Sequence, residues 1–303
     1  MIDEGLDEYN KCELCPRKCG INRYKSIGYC RSEANVRIAR AGLHFWEEPC
    51  ISGEKGSGTV FFTGCNLNCV FCQNKEISKN LKGKDISINR LVEIFFELKS
   101  KGANNINIVT GDIFIPSIRL AIEDAKQKKL DIPFILNSSG YVSVDSIKSL
   151  EGLIDIYLPD FKYIRSEDSV KYSGVPDYVK VVKSVIEEMV RQQPLVVVDN
   201  KSGIMKKGVI VRHLLLPGMV IQAKMIIKYL YEKYGDRIII SLLNQYTPNG
   251  ELDMYPEINR KIREAEYRSL WHYAMNQGVT QAYIQEKSAA NKLFIPKFDL
   301  SGV

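Results

Sequence analysis

Residues 59–72 read Thr-Val-Phe-Phe-Thr-Gly-Cys-Asn-Leu-Asn-Cys-Val-Phe-Cys, a short apolar run followed at once by three cysteines. The run predicts a buried β-strand, and Gly64 lets the chain turn sharply where that strand ends. Cys65, Cys69 and Cys72 then put three thiolates on one short loop. Since four cysteines fill every corner of a [4Fe–4S] cluster, three leave one iron open for a substrate or cofactor. The alternative is a zinc site with a distant fourth ligand, although zinc usually takes paired cysteines with two further ligands.

Beyond this loop, short runs of Val, Ile, Leu and Phe alternate with longer amphipathic segments. Strands are predicted at residues 59–63, 105–110, 134–137, 154–158, 209–215 and 237–242, with a weaker one at 281–284. Helices are predicted at residues 87–101, 177–193, 221–234 and 259–277. Continuous apolar strands are typical of a parallel sheet buried on both faces, and βα alternation implies right-handed crossovers. Six such units are fewer than the eight of a closed barrel, so we predict an α/β fold, a partial (β/α)6 TIM-like barrel, with a doubly wound sheet as the alternative.

Polar residues gather where the predicted strands end. They are Thr110 and Asp112, Asn137 to Ser139, Asp160 and Lys162, Arg212 and His213, and Asn244 to Tyr246. Active sites of parallel α/β folds lie at the carboxyl ends of the strands. We therefore expect these five groups to face one site, together with the three-cysteine loop.

The chain divides into a Cys-rich N-terminal lobe at residues 1–57, which lacks strong periodicity, and a barrel at residues 58–303. Residues 195–208 resemble an insertion in the barrel, with a short strand followed by a turn. The lobe carries Cys12, Cys15, Cys19 and Cys30 in the spacing C-x2-C-x3-C-x10-C. Four thiolates suit structural zinc or an auxiliary [4Fe–4S] cluster, and a metal would hold an irregular lobe together. A disulfide pair and metal-free thiols are the alternatives.

Composition excludes several classes of protein. The 303 residues are 45% hydrophobic and 26% charged, which is ordinary for a globular protein. No apolar run reaches the ~18 residues that span a bilayer, and residues 1–10 do not form a secretory signal. The net charge of +6 is spread along the chain, so no nucleic-acid partner is expected. All eight cysteines lie between Cys12 and Cys72, which favours metal binding in a cytoplasmic protein over a secreted disulfide framework.

The triad, the aromatic Phe71 before its last cysteine, and its place after the first strand resemble the radical S-adenosylmethionine (SAM) superfamily. Nearly the whole chain resembles the pyruvate formate-lyase activating enzyme group, in particular its uncharacterised X-type branch. The closer match lies in four segments. They are Cys-Glu-Leu-Cys-Pro-Arg-Lys-Cys-Gly-Ile-Asn-Arg (12–23), Gly-Leu-His-Phe-Trp-Glu-Glu-Pro-Cys-Ile-Ser-Gly (42–53), Asp-Ile-Tyr-Leu-Pro-Asp-Phe-Lys-Tyr (155–163) and Val-Arg-His-Leu-Leu-Leu-Pro-Gly (211–218).

This resemblance implies a [4Fe–4S] cluster on Cys65, Cys69 and Cys72, with SAM bound at the open iron. Reductive cleavage of SAM would give a 5′-deoxyadenosyl radical that abstracts a hydrogen atom. By position, Phe71 matches the aromatic residue near the adenine, and Lys162 matches a lysine that pairs with the methionyl carboxylate. The compact, multiply donating ammonium of a lysine suits a carboxylate partner.

The resemblance assigns further cofactor-binding positions, some of which depart from the family pattern. Arg212 matches an arginine near the bound cofactor. The family's Gly-Gly-Glu run is here Thr-Gly-Asp, which places Gly111 and Asp112 at the methionyl amine. Four further residues are expected around SAM. They are Asn137 with Ser139, where activating enzymes have an aspartate for a monovalent cation; Asp160; and Tyr246, where they have a histidine.

The resemblance also implies partners. Activating enzymes abstract hydrogen from a glycine of a glycyl radical enzyme, and a flavodoxin- or ferredoxin-type protein would supply the electron. Two alternatives are a radical SAM enzyme that modifies a small metabolite or peptide, and a non-catalytic zinc protein that binds nucleic acid or protein through its basic lobe.

Overall fold

The computed structural model describes residues 5–248, 252–284 and 296–303, so the first four residues of the predicted lobe lie outside it. Its strands are β1 Val36–His44, β2 Ser57–Phe62, β3 Lys84–Ile86, β4 Ile106–Val109, β5 Phe134–Ser138, β6 Ile156–Pro159, β7 Val197–Val198, β8 Met205–Leu214, β9 Ile239–Leu243 and β10 Ala282–Ile284. They form one sheet in the order β10-β9-β8-β6-β5-β4-β2-β1-β3, with β7 beside β8.

Helices connect and cover these strands. They are α1 Asp7–Asn10, α2 Pro49–Ser52, α3 Lys75–Ser78, α4 Ile88–Ser100, α5 Ile115–Gln127, α6 Val144–Lys148, α7 Ser166–Ser173, α8 Tyr178–Gln192, α9 Val220–Tyr234 and α10 Glu264–Asn276. Short 3-10 turns cover Gly111–Phe114 and Gly235–Arg237. The side chain of Ser87 caps α4 by accepting a hydrogen bond from Arg90 N at 3.1 Å, and apolar residues on one face of this helix are buried.

The core of the fold is a run of parallel strands. Strands β2, β4, β5, β6, β8, β9 and β10 each pair in parallel with the next. Every residue of β2, β4, β5, β6 and β9 is buried, as expected where helices cover one face and the barrel interior the other. In the described part of the chain the sheet ends at β10 and β3 without closing. The predicted strands and the partial barrel are confirmed.

Two predicted elements differ in detail. The insertion forms a hairpin in which β7 pairs antiparallel with the start of β8. Helix α10 begins at Glu264, five residues later than predicted. The carboxylate of Glu266 accepts a hydrogen bond from Arg263 N at 2.8 Å and fixes the first turn there.

Strand β1 was not predicted. It pairs antiparallel with β2 on one edge and with β3 on the other, so part of the N-terminal lobe extends the barrel sheet. Its sequence, Val-Arg-Ile-Ala-Arg-Ala-Gly-Leu-His, alternates only imperfectly. Small Ala and Gly residues hide the period-2 pattern that would have indicated a strand.

Helix α2, directly before β2, fills one end of the barrel. Cys50 and Ile51 are buried. They pack with inward-facing residues of β5, β6, β8 and β9: Ile135, Ile156, Leu158, Met205, Ile210 and Ile239. Asn105 Nδ2 donates to Ile51 O at 2.9 Å and holds the segment in place. The barrel is therefore plugged at its amino end, and its open space lies at the carboxyl ends of the strands.

Candidate active site

The carboxyl ends of the strands surround one cavity of about 250 Å³. Its lining contains many of the residues predicted from the sequence: Cys65, Cys69, Phe71, Cys72, Asn137, Ser139, Asp160, Lys162 and Arg212. Gly111, Asp112 and Tyr246 are not among the lining residues, although Thr110 and Gln245 beside them are. The structure thus brings the three-cysteine loop and at least one residue of each of the five predicted polar groups onto one surface.

The three thiols are held by the loop that follows β2. Gly64 has φ +94°, and a Cβ there would lie 2.2 Å from Ser32 Oγ, so only glycine fits this turn. Cys65 Sγ accepts a hydrogen bond from Leu67 N at 3.4 Å, and Cys69 Sγ accepts one from Ser173 Oγ at 3.0 Å.

Burial raises the pKa of the Cys65 and Cys69 thiols. The neighbouring thiols raise both values further, whereas the Lys162 ammonium lowers that of Cys69. A metal centre, which binds thiolates, would therefore displace protons here.

A chain of charges crosses the floor of the cavity. Lys162 Nζ donates to Asp160 Oδ2, and Arg212 Nε donates to Asp160 Oδ1 at 3.1 Å. Burial opposes the charged form of all three groups. The two cations nevertheless hold the pKa of Asp160 below its usual value, and Asp160 holds that of Lys162 above its own. These three side chains therefore stay ionised and give the cavity hydrogen-bond donors in fixed positions.

Arg212 also joins several chain segments. Its Nη2 donates to Asn137 Oδ1 at the end of β5, and its Nη1 lies 3.4 Å from Glu47 Oε2. Glu47 follows β1 and lines the cavity, but sequence reasoning did not identify it. Its signal was the adjacent acid pair in Trp-Glu-Glu-Pro, which is unusual before a buried segment.

A layer of polar groups without hydrogen-bond partners lies between the cavity and the plug. Within the described residues, neither carboxylate oxygen of buried Glu48 has a hydrogen-bond partner, and the same is true of the side-chain amide of Asn107 and the Ser241 hydroxyl. Burial raises the pKa of Glu48, although Arg212 acts in the opposite direction. Buried carboxyl groups in this setting tend to keep a proton.

The end of β4 contributes a strained turn. Thr110 has φ +61° and lines the cavity, and a Cβ on Gly111 would lie 2.4 Å from Ile108 Cγ2. Asp112 Oδ2 accepts hydrogen bonds from Ser139 N at 3.0 Å and Ser139 Oγ at 2.9 Å. In the described structure its Oδ1 is buried without a partner, and burial raises its pKa.

Phe71 and Tyr246 form an aromatic corner. Their ring centroids are 6.2 Å apart in an edge-to-face arrangement, and the Tyr246 hydroxyl donates to Ile258 O at 2.6 Å. Tyr246 therefore supports Phe71 from behind, and its own polar atom points at the backbone.

The other predicted cysteines form a second group. Cys12, Cys15, Cys19 and Cys30 line one small cavity in the N-terminal lobe. All eight cysteines are free thiols. Among the described residues, at the triad as well as in the lobe, no three His, Cys, Asp or Glu side chains are already arranged as a metal-binding set, so a metal centre would have to draw the thiols together.

Comparisons with known proteins agree with this geometry. The sequence profile of the radical SAM superfamily matches residues 59–200, which include the triad, Asp112 and Lys162. Residues 59–200 of the chain belong to the radical SAM superfamily. Membership implies a [4Fe–4S] cluster and SAM as cofactors, with reductive cleavage of SAM as the reaction. It sets aside the alternative of a non-catalytic zinc protein.

Individual relatives share less than a third of their aligned residues with this chain. An uncharacterised protein of Methanocaldococcus jannaschii, MJ0674, is 29% identical over 264 residues, which cover 85% of this chain and 72% of that protein. Streptococcus suis SuiB bound to the precursor peptide SuiA has 16% identity and a TM-score of 0.48, covering 76% of this chain and 49% of that one. The FeFe-hydrogenase maturase HydG from Carboxydothermus hydrogenoformans has 14% identity and a TM-score of 0.49, covering 78% and 56%. This chain thus spans about half the length of those two solved structures.

The residues present fit the radical SAM cofactors. Three thiols on one loop supply three sulfur ligands to a [4Fe–4S] cluster. Lys162 lines the same cavity and suits a carboxylate. Asp112 Oδ1, buried without a partner in the described residues, suits an ammonium group.

None of the helices in the described part of the chain combines the length and the apolar character needed to cross a bilayer.

Proposed function

We propose that this radical SAM enzyme activates a glycyl radical enzyme by abstracting a hydrogen atom from one of its glycine residues. The observation that carries the proposal is a largely exposed tryptophan in the lining of the cavity. Trp46 lines the cavity with 59% of its surface exposed, and neighbouring Phe45 is 49% exposed. Exposed aromatic residues beside a deep polar site are typical of surfaces that bind polypeptides. The sequence resemblance to activating enzymes supports the same substrate class.

Cys65, Cys69 and Cys72 would hold the [4Fe–4S] cluster, and SAM would lie beside it against Lys162. When bound, these cofactors supply the hydrogen-abstracting 5′-deoxyadenosyl radical. Lys162, held by Asp160, would orient the methionyl carboxylate of SAM. Arg212 would keep Asp160 and Asn137 in fixed positions, so the site is preorganised.

The protein must also keep water away from the reacting atoms. The plug at Cys50 and Ile51 closes the amino end of the barrel, and the Phe71–Tyr246 corner forms an apolar side wall. Substrate would therefore approach past Trp46, which lines the cavity and is largely exposed. A docked polypeptide would cover the cavity there and complete the enclosure.

The direct test is to mix the anaerobically prepared enzyme, SAM and a reductant with a glycyl radical enzyme encoded in the same genome. We expect a glycyl radical signal in electron paramagnetic resonance (EPR) spectra. The Trp46→Ala variant should lower the yield of glycyl radical per SAM cleaved by about tenfold. Trp271→Ala serves as the matched control because this partly exposed tryptophan lies on α10 and should leave the yield unchanged.

A small metabolite or peptide is the second candidate substrate. The position of Glu47 in the cavity lining favours it. This carboxyl group lines the cavity beside Arg212 and would attract a cationic group of a substrate small enough to enter. Deuterium transfer from a labelled amine-bearing metabolite into 5′-deoxyadenosine, with no transfer from any glycyl radical enzyme, would replace the activase proposal with this one.

A further inference from the structure

The four lobe cysteines belong to one site. Cys12, Cys15, Cys19 and Cys30 line the same small cavity, together with Leu14, Arg23, Gly28, Tyr29 and Ile113. The thiols of Cys12, Cys15 and Cys30 are close enough to act on one another electrostatically. Cys19 is exposed at the surface of the lobe, whereas the other three are buried. The fold therefore places all four cysteines of residues 12–30 in the lining of one cavity.

A buried cation lines the same cavity. Arg23 is 1% exposed and lines the cavity, and its two Nη atoms donate to Ile113 O and Glu33 O. Its Nε is buried without a hydrogen-bond partner in the described residues. A buried guanidinium group is costly unless a negative charge lies near it. A metal centre held by four thiolates is anionic and would supply that charge.

The ligand pattern identifies the kind of centre. Three of the cysteines, Cys12, Cys15 and Cys19, lie on one short loop, and Cys30 follows at a distance. A run of three cysteines with a separate fourth is an arrangement of iron–sulfur ligands, whereas structural zinc is usually held by two pairs. We infer that these four cysteines hold a second [4Fe–4S] cluster, which passes electrons to the cluster at Cys65, Cys69 and Cys72.

The segments that carry the two cysteine sites touch each other. Asn66 directly follows the proposed cluster ligand Cys65, and its side chain is close enough to the Cys15 thiol to lower the pKa of that thiol. Arg17 Nε donates to Asn66 O at 3.2 Å. A Cβ on Gly64 would lie 2.9 Å from Cys30 O, so the backbones of the two loops touch. The sulfur donors of the two sites are therefore carried by loops in direct contact.

The relay rests on the proposed radical SAM function and balances as a one-electron transfer. A reduced flavodoxin- or ferredoxin-type protein loses one electron to the lobe cluster. That cluster passes the electron to the barrel cluster and returns to its oxidised state. The electron then breaks the carbon–sulfur bond of SAM to give methionine and the 5′-deoxyadenosyl radical. With four cysteine ligands the lobe cluster has no open iron, so it carries electrons without binding SAM.

The first experiment separates the two sites by metal content. The triple variant Cys65→Ala, Cys69→Ala, Cys72→Ala is reconstituted anaerobically, its fold is checked by circular dichroism, and its iron, sulfide and zinc are counted. We expect about four iron and four sulfide per chain, with an EPR signal that SAM does not change. Cys50→Ala is the matched control because Cys50 belongs to neither site, and it should hold about eight iron.

Zinc in place of iron in the triple variant, or a folded triple variant without metal, would overturn the second cluster. If the triple variant does not fold, the wild-type protein answers the same question. About eight iron per chain supports two clusters and about four overturns the second one.

The second experiment tests the relay. Cys19→Ala removes the most exposed of the four ligands and should lower the iron content by about half. SAM cleavage driven by a reduced flavodoxin should fall about tenfold, whereas cleavage driven by dithionite, a small reductant that reaches the barrel cluster directly, should change less than about twofold. Unchanged flavodoxin-driven cleavage, or an equal fall with both reductants, overturns the relay. If the wild-type protein cleaves no SAM with either reductant, the proposed function fails, while the iron count still decides the lobe cluster.

Discussion

The barrel triad and the lobe cysteines use the same donor atom in different surroundings. The triad contributes three thiols to a cavity of about 250 Å³ that also contains Asp160, Lys162 and Arg212. The lobe contributes four thiols to a small cavity where the charged lining residue is Arg23. On our proposals, the fourth thiol and the nearby charges distinguish a site that activates a molecule from one that only carries an electron.

The Cys69→Ala variant should abolish SAM cleavage, because the barrel cluster would lose one of its three ligands. Production of 5′-deoxyadenosine by the dithionite-reduced protein measures the effect, and iron in the lobe should remain. The Ser173→Ala variant removes only the hydroxyl that donates to Cys69 Sγ at 3.0 Å and should keep most of the activity. Normal 5′-deoxyadenosine production by Cys69→Ala would show that the ligand assignment is wrong.

The Lys162→Met variant should weaken SAM binding about tenfold to a hundredfold, because a charge-assisted hydrogen bond contributes about 1.5–3 kcal/mol. Equilibrium binding of SAM to the reconstituted protein measures this change. Lys228→Met removes a lysine that is 57% exposed on α9 and is the control. An unchanged affinity in Lys162→Met would mean that the cation does not contact SAM.

The Arg23→Met variant tests whether the buried cation of the lobe stabilises the reduced lobe cluster. Without this buried cation the reduced, more negative lobe cluster is less well stabilised, so its midpoint potential should fall by about 60 mV, the equivalent of a tenfold change in the one-electron equilibrium. Potentiometric EPR is carried out in the background of the triple variant Cys65→Ala, Cys69→Ala, Cys72→Ala, so that the lobe cluster gives the only iron–sulfur signal. Arg31→Met, at an exposed arginine of the same lobe, should leave the potential unchanged. An unchanged midpoint potential in Arg23→Met would show that Arg23 does not stabilise the reduced lobe cluster.

The Glu48→Gln variant should stabilise the protein at neutral pH by about 1–2 kcal/mol, since it replaces a buried carboxyl group whose oxygens lack partners in the described residues. Burial raises the pKa of Glu48 in the folded state, so the wild-type protein loses stability as pH rises above the unfolded value of about 4.5. Thermal unfolding from pH 4 to pH 8 should show the advantage of the variant growing with pH. A constant difference would mean that Glu48 does not titrate in this range.

The sequence predicted the barrel well because its strands are long apolar runs with a single interpretation, and the three-cysteine loop fixed the position of the site. It did not predict β1, because Ala39, Ala41 and Gly42 blur the alternation on which strand prediction depends. It also missed Glu47, which reaches the cavity only because β1 and the plug bring residues 45–52 back under the barrel. Contacts of this kind depend on tertiary pairing, which local patterns do not contain.

The plug has a consequence for how the chain assembles. Ile51 emerges early during synthesis, but its partners Met205, Ile210 and Ile239 follow about 150 residues or more later. The barrel interior cannot close until β8 and β9 exist, and these late, long-range contacts make folding slow. Until then the apolar plug is exposed to solvent and to other nascent chains, as in other large folding intermediates. Much of the chain must therefore be synthesised before the barrel interior can pack. Until then the three-cysteine loop lacks the packed barrel that holds it in place.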